Sequence, residues 1–314
     1  MSKKSRVLIT GVAGFIGSNL ADRLLKEGHP VIGIDNLSYG VLEQVPEGVE
    51  FYKLDIRSKK IYPLFKKIDF VFHLAAKNCI SDCQNDPVET SDINVTGTVN
   101  VFEAAKRAGV KKVIYAESSA IYEGINKFPT PENKIKPESF YARSKIAGNL
   151  FAEGYKKFYG VTSVGLRYFS VYGPRQDYRR TMPPLPSAFI IKIMKGENPI
   201  IYGTGEKRRD YVHIDDINDF HLLCMDNVNV DNKIFNLGSG TNVSILDVYK
   251  IVSKALKSDL PSIFKEDMPG EALITLSDIS EAKKIGWLPK ISLEDGIQGL
   301  IEYIRGEFAK GNIK

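Results

Sequence analysis

Residues 7–28 read VLITGVAGFIGSNLADRLLKEG. A short apolar run meets three glycines, Gly11, Gly14 and Gly17, and then an apolar stripe at Ile16, Leu20 and Leu24. The stripe recurs every four residues, which is helical. The run before the glycines is short, continuous and apolar, as in a strand covered on both faces. A strand that turns through glycine straight into a helix opens a βαβ unit. Glycine at these points permits a tight turn and lets backbone N–H groups approach a pyrophosphate. The helix start adds partial positive charge there, and Gly17 lets helix and strand pack closely. Glycines also mark plain turns, but the strand–loop–helix setting favours phosphate binding. Gly11, Gly14, Phe15, Ile16 and Gly17 are thus candidate dinucleotide-binding residues.

The same texture continues through the first two-thirds of the chain. RVLIT (6–10), PVIGID (30–35), DFVFHLAA (69–76), KKVIYAESS (111–119) and TSVGLRYF (162–169) read as buried strands. Helical patterns lie between them, such as VNVFEAAKRAG, which runs to Gly109 as its stop. Alternating β and α elements predict an α/β fold with a doubly wound, Rossmann-like parallel sheet. After residue 173 the texture changes. GPRQDYRRTMPPLP is proline-rich and reads as an irregular crossing segment, followed by helices near 185–195, 215–226, 244–257 and 293–306. The expected organisation is a nucleotide-binding domain over 1–173, also receiving segments near 210–240. A smaller substrate-binding portion then spans 174–314, with a cleft between the two.

The second strand ends at Asp35, eighteen residues beyond Gly17, with Asn36 next to it. A carboxylate there can accept hydrogen bonds from ribose hydroxyls and would repel a 2′-phosphate, which favours NAD over NADP. Asp55 and Ile56 of KLDI follow the third strand, where an adenine would lie. Two of the fifteen tyrosines have lysine four residues on. Tyr62–Lys66 has Pro63 between its members, which argues against regular helical pairing. Tyr141–Lys145 follows Pro137 and Ser139, both helix-start residues, and precedes an apolar stripe at Ile146, Leu150 and Phe151. Its members therefore lie one turn apart on one face. An ammonium beside a phenol favours the phenolate, and an oxidised nicotinamide would add a second positive charge. Ser118, at the end of the preceding strand, can bond the same hydroxyl. On chain order alone two readings stay open, a proton-transfer pair and a surface helix pair.

The bulk numbers set outer limits. The formal charge of +5 over 314 residues is modest and scattered, so no nucleic-acid stripe is read. Three cysteines argue against a disulfide framework and for a reducing compartment. Cys79 and Cys83 lack a second metal-ligand pair, so no metal is expected. No segment approaches a membrane helix and the N-terminal apolar run is too short for a secretory signal. A cytoplasmic location is the expectation.

The segments TGVAGFIG, DNLSYG, HLAA, NVTGT, SSAIY, YARSK, RYFSVYGPRQ, RDYVHIDD, FNLGSG and LSDISEAKKIGW occur in order along nearly the whole chain. Together they resemble the extended short-chain dehydrogenase/reductase family. The likeness is strongest to its nucleotide-sugar branch, which contains UDP-galactose and UDP-N-acetylglucosamine 4-epimerases. That resemblance implies Tyr141 as base, Lys145 as its electrostatic partner and ribose anchor, and Ser118 as the hydroxyl partner. It implies that Ala75 and Asn94 line the NAD site, that Arg209 meets the substrate diphosphate, and that helices near 95–108 and 140–158 pair two subunits into a homodimer. It implies a UDP-linked nucleotide-sugar substrate.

Dehydratases of the family follow the hydroxyl residue with Asp-Glu. Here Ser118 is followed by Ser119 and Ala120, which points to epimerisation. A 4,6-dehydratase or another keto-sugar-forming enzyme is the alternative, and a non-catalytic NAD-binding sensor or interaction protein is the alternative of another class. Two positions depart from the family pattern. Ser170 stands where asparagine usually reaches the substrate phosphates, and Met268 stands where many relatives carry arginine. Lys207, Arg208 or Lys265 could replace that lost charge. Thr275 aligns with a position that limits room beside the sugar C2 substituent, and its small size is compatible with an N-acetyl group.

Overall fold

Seven parallel strands build the central sheet of the computed structural model, which describes residues 4–180, 182–267 and 272–313. Six come from residues 7–168: β1 (Val7–Thr10), β2 (Val31–Asp35), β3 (Glu50–Lys53), β4 (Phe70–His73), β5 (Lys112–Ser118) and β6 (Ser163–Tyr168). After β7 (Ser170–Tyr172), β8 (Ile200–Tyr202), β9 (Arg208–Arg209) and β10 (Tyr211–His213), the seventh is β11 (Ile234–Leu237), beside β6. The order is β11-β6-β5-β4-β1-β2-β3. Every pairing in it is parallel, with Val7 opposite both Val31 and Phe70. The order reverses direction at β1 and β4, so the loops after these strands diverge and leave a crevice at the carboxyl edge of the sheet.

Helices cover both faces, which is why β1, β2 and β4 are buried along their whole length. On one face lie α1 (Phe15–Lys26) and a later helix over Ile214–Asp226, packing Leu20, Leu24, Ile217 and Phe220. On the other, α2 (Ile80–Asn85) and α3 (Pro87–Ser91) lead through a π-helical turn over Asp92–Gly97 into α4 (Thr98–Ala108). Then comes α5 (Phe140–Tyr159); Val101, Phe102, Ala152 and Tyr155 form this second core. Gly109, with φ +68°, ends α4 in the left-handed cap that glycine favours.

The rest of the chain adds α6 (Leu185–Met194), α7 (Ile214–Asp226), β12 (Val243–Ser244), α8 (Ile245–Leu256), β13 (Ile263–Lys265), α9 (Ser280–Lys284) and α10 (Leu293–Ala309). A third core joins α6, α8 and α10 through Ile190, Val248, Val252, Ile297, Leu300 and Ile304. Six two-residue or three-residue strands form only small pairs, β10 with β7, β12 with β9 and β13 with β8. Among the described residues no helix is long and apolar enough to cross a membrane.

Candidate active site

A cleft of about 1110 Å³, open mouth included, lies at the crevice after β1 and β4. Its floor is the glycine turn. Gly11 has φ +76°, and a Cβ there would sit 2.7 Å from the Ala75 nitrogen. A Cβ on Gly17 would fall 2.2 Å from the Gly11 carbonyl oxygen, so α1 rests directly on the turn. Gly14 caps α1 without any side-chain hydrogen bond, and the first turn holds no acidic residue. The N–H groups of that turn are left for a ligand. Gly11, Gly14, Phe15, Ile16, Gly17, Asp35, Asn36, Asp55, Ile56 and Ala75 all line the cleft.

The two carboxylates on the far side differ. Asp35 accepts from the backbone N–H of Ala13 (3.1 Å) and of Leu37 (2.8 Å), yet burial pushes its carboxyl above the ordinary value. Asp55 is gripped by Arg57, through its backbone N–H (2.8 Å), Nε (2.9 Å) and Nη2 (2.7 Å), and by Asn36 Nδ2 (2.9 Å). The Arg57 hydrogen bond holds it down at about 2. Much of its acceptor capacity is already spent, so Asp55 shapes this end of the cleft together with Asn36.

Asn94 departs from the placement that the resemblance implies. It is buried and lies behind the cleft wall, where it accepts from the Lys77 N–H (2.8 Å) and donates to the Lys77 carbonyl (2.9 Å) and Ser144 Oγ (3.0 Å). It pins the loop after β4 to α5, and Ile93 faces the cleft in its place. Lys77, Asn78, Tyr39, Asp177, Arg179 and Arg180 also line the cleft and were not singled out from sequence. Tyr39 lies inside the quoted DNLSYG motif, whereas the others sit in loops where no periodicity marks an inward face.

Asn94 ties the loop after β4 to Ser144 of α5, while Ser118, Tyr141 and Lys145 are not among the residues that line the cleft. Ser139 caps this helix, accepting from the Ala142 N–H (3.1 Å), and Glu123 holds Ser139 through both its N–H (2.7 Å) and its hydroxyl (2.9 Å). Tyr141 therefore sits in a fixed first turn, with Lys145 one turn on. Each is 9% exposed. Ser118 lies near enough to the Tyr141 hydroxyl to favour its phenolate, and the Ser118 Oγ accepts from the Ala120 N–H (3.1 Å). Lys145 Nζ donates to the Ala116 carbonyl (3.1 Å) and lies 5.8 Å from the centre of the Tyr141 ring. The three residues singled out as catalytic candidates thus converge at the carboxyl end of β5.

The electrostatics run against the simplest expectation. Burial pushes the Tyr141 phenol up to about 12, outweighing the Ser118 hydroxyl and the positive charge of Arg180. Burial also brings Lys145 down to about 8, against the pull of Glu117. In the protein by itself, desolvation wins over the neighbouring guanidinium. Glu117 points to the opposite face from Ser118 and pairs with Arg167 at 2.7 Å. Ser119 and Ala120 open a single 3-10 turn, Ser119 half-buried.

A third group forms around Asp210, which is fully buried. Its carboxylate accepts from Ser239 N (2.6 Å) and Oγ (2.8 Å) and from Ser277 N (2.9 Å) and Oγ (2.5 Å). Its backbone accepts from Ser170 N (2.9 Å) and donates to Thr275 Oγ1 (3.2 Å). Ser170, Arg209 and Thr275 are thereby drawn to one place. Arg209 Nη1 donates to the carbonyls of Ala272 (2.7 Å) and Arg208 (3.1 Å). Of the cations considered as replacements, Lys207 pairs with Asp267, and Arg208 is held by Asn242 through Nε (2.7 Å) and Nη2 (2.8 Å). Lys265 is exposed on β13, and Met268 lies outside the described residues.

Comparison with known proteins places this geometry in context. The model of the NAD dependent epimerase/dehydratase family matches residues 7–238. A putative UDP-glucose 4-epimerase of Methanocaldococcus jannaschii is 34% identical, over 95% of this chain and 98% of that relative. The crystal structure of UDP-glucose 4-epimerase from Thermotoga maritima with UDP-glucose superposes with a TM-score of 0.93 at 34% identity, covering 96% of this chain and 99% of that one. A UDP-N-acetylglucosamine 4-epimerase from Methanobrevibacter ruminantium, in complex with UDP-N-acetylmuramic acid, gives 0.93 at 32% identity, over 97% and 99% of the two chains.

Proposed function

The chain belongs to the NAD dependent epimerase/dehydratase family, and from that premise we propose that it is an enzyme that inverts C4 of a UDP-linked hexose through a 4-keto intermediate. The substrates are UDP-glucose and UDP-galactose or their N-acetyl forms. The residues fit NAD: a glycine floor with no room for a Cβ, an uncapped helix start for the pyrophosphate and a buried Asp35 for the ribose. When bound, NAD supplies the acceptor that takes the C4 hydride and returns it.

The observation that carries the reading is the convergence of Ser118, Tyr141 and Lys145 at the carboxyl end of β5, with no carboxyl group at 119 or 120. Tyr141 exchanges the proton of the sugar hydroxyl and Ser118 orients that hydroxyl. Lys145 holds positive charge near the phenol and is assigned the contact with the nicotinamide ribose. Elimination of water across C5–C6, the dehydratase alternative, would need acid and base groups that Ser119 and Ala120 cannot supply. A non-catalytic sensor would not need the tyrosine, lysine and serine together. Asp210 supports the substrate side by gathering Ser170, Arg209 and Thr275, the group to which the diphosphate and the sugar C2 substituent are assigned.

NMR of the product formed from UDP-galactose or UDP-N-acetylgalactosamine tests the proposal. The expected product is the C4 epimer, and a 6-deoxy-4-keto sugar would overturn it. The same assays test Thr275 as a small wall residue: kcat/KM for the two sugars should agree within about 100-fold. The protein is further proposed to act as a homodimer through α5, whose Leu150, Phe151 and Phe158 are exposed, Phe158 to 71%.

A further inference from the structure

Strands β5 and β6 lie side by side, with Tyr115 opposite Gly165 and Glu117 opposite Arg167. Tyr115 and Glu117 are two residues apart and face the same side of the sheet. That side is covered by α5, since the Tyr115 hydroxyl donates to Asn149 Oδ1 at 2.9 Å. Lys145 stands one turn before Asn149 on the same helix face. Its Nζ donates to the carbonyl of Ala116, the residue between Tyr115 and Glu117. Gly165 leaves room for the carboxylate: a Cβ there would fall 2.8 Å from Glu117 Oε1 and 2.8 Å from the Tyr115 hydroxyl.

Glu117 is 2% exposed, and its two oxygens are treated differently. Oε2 accepts from Arg167 Nε at 2.7 Å. The Nη1 of that arginine donates to the Tyr122 hydroxyl (2.9 Å) and the Glu132 carbonyl (2.5 Å). Oε1 is buried, and among the described residues it has no hydrogen-bond partner. A buried carboxylate oxygen without a donor is costly, so a charge that it can face is worth more there than at the surface.

Three other titratable groups lie close to Lys145: Cys83 of α2, His73 of β4 and Tyr141 of its own helix. Burial raises the Cys83 thiol, brings His73 down to about 3 and lifts the Tyr141 phenol to about 12, so each is uncharged near neutral pH. Glu117, tied to Arg167 through its other oxygen, is the anion of the set. A buried lysine without a counter-charge sheds its proton. We propose that Glu117 is a positioning residue, whose unpartnered oxygen holds the Lys145 side chain beside the phenol as an ammonium. The step deepens the 4-epimerase reading and rests on it for its effect on turnover.

The test follows wild type, Glu117→Gln, Glu117→Asp and Glu117→Gln/Arg167→Met against pH. Urea unfolding is run on each protein with and without Lys145→Met, and the difference within each pair isolates the lysine. In wild type that difference should begin to change at about pH 8. In Glu117→Gln its onset should move down by about one pH unit or more, and the alkaline fall of kcat/KM with UDP-galactose should move with it. Glu117→Asp keeps the charge and should stay near wild type. The double variant leaves no unpaired guanidinium, so it reads the same shift should Glu117→Gln fail to fold. A merely structural Glu117 would lower stability at every pH and leave the onset in place, which would overturn the proposal. If wild type converts no nucleotide sugar, the 4-epimerase reading falls, and the onset in unfolding still decides whether Glu117 holds the charge on Lys145.

Discussion

Tyr141 and Lys145 are each moved by burial towards the uncharged form, and this sets how the site should respond to pH. Lys145 titrates at about 8 in the folded protein against 10.5 as a free side chain. Between these values the unfolded chain binds more protons, so this group makes stability rise with pH from about 8 to 10.5. Urea unfolding at intervals across that window should show the rise in wild type and a flatter profile in Lys145→Met. Activity should run the other way, with kcat/KM falling above about pH 8 as the ammonium is lost. Tyr141→Phe should lower kcat by about 10²- to 10⁴-fold while leaving NAD content and circular dichroism unchanged. The Tyr141–Lys145 spacing and the helix-start residues before it are readable from the chain alone. The direction in which the phenol moves is not, because it depends on desolvation by residues distant in sequence. Asn94 has the same character: its partners Lys77 and Ser144 lie 17 and 50 residues away, and only folding shows that it braces the wall from behind.

At the scale of elements, the β1–glycine–α1 unit carries the cofactor floor, and its tolerance is small. Gly17→Ala would force a methyl group to 2.2 Å from the Gly11 oxygen, so helix and turn must separate. We expect a loss of about 2–3 kcal/mol in urea unfolding and purification without bound NAD. This unit, the strands β2, β4, β5 and β6 and the four longer helices of the second half are legible because the strands are continuous apolar runs and the helices carry an apolar period. The short strands β7, β9, β10 and β12 have no such run. They exist because segments around Asp210 exchange hydrogen bonds with it and with each other. The crossing segment at 173–180 is readable as irregular from its prolines, but which of its side chains face inward follows from Gln176 and Tyr178 finding buried partners.

For the whole molecule, α5 serves two sides: its first turn presents Tyr141, and its outer face leaves Leu150, Phe151 and Phe158 in solvent. If that face joins two copies, Phe158→Glu should shift the mass seen by light scattering from dimer to monomer at micromolar concentration. A wild type that is monomeric would remove the proposal. The sheet has a second property of the same scale. Its outermost strand on one side, β11, is made from residues 234–237, far downstream of its neighbour β6. A nascent polypeptide emerging from the ribosome cannot close that side until residue 237 is free. Until then the outer backbone of β6 is a bare edge, open to pairing with a neighbouring chain. Translational pausing before that point would prolong the exposure, and a transcript truncated short of codon 234 would yield a product with a permanent adhesive margin.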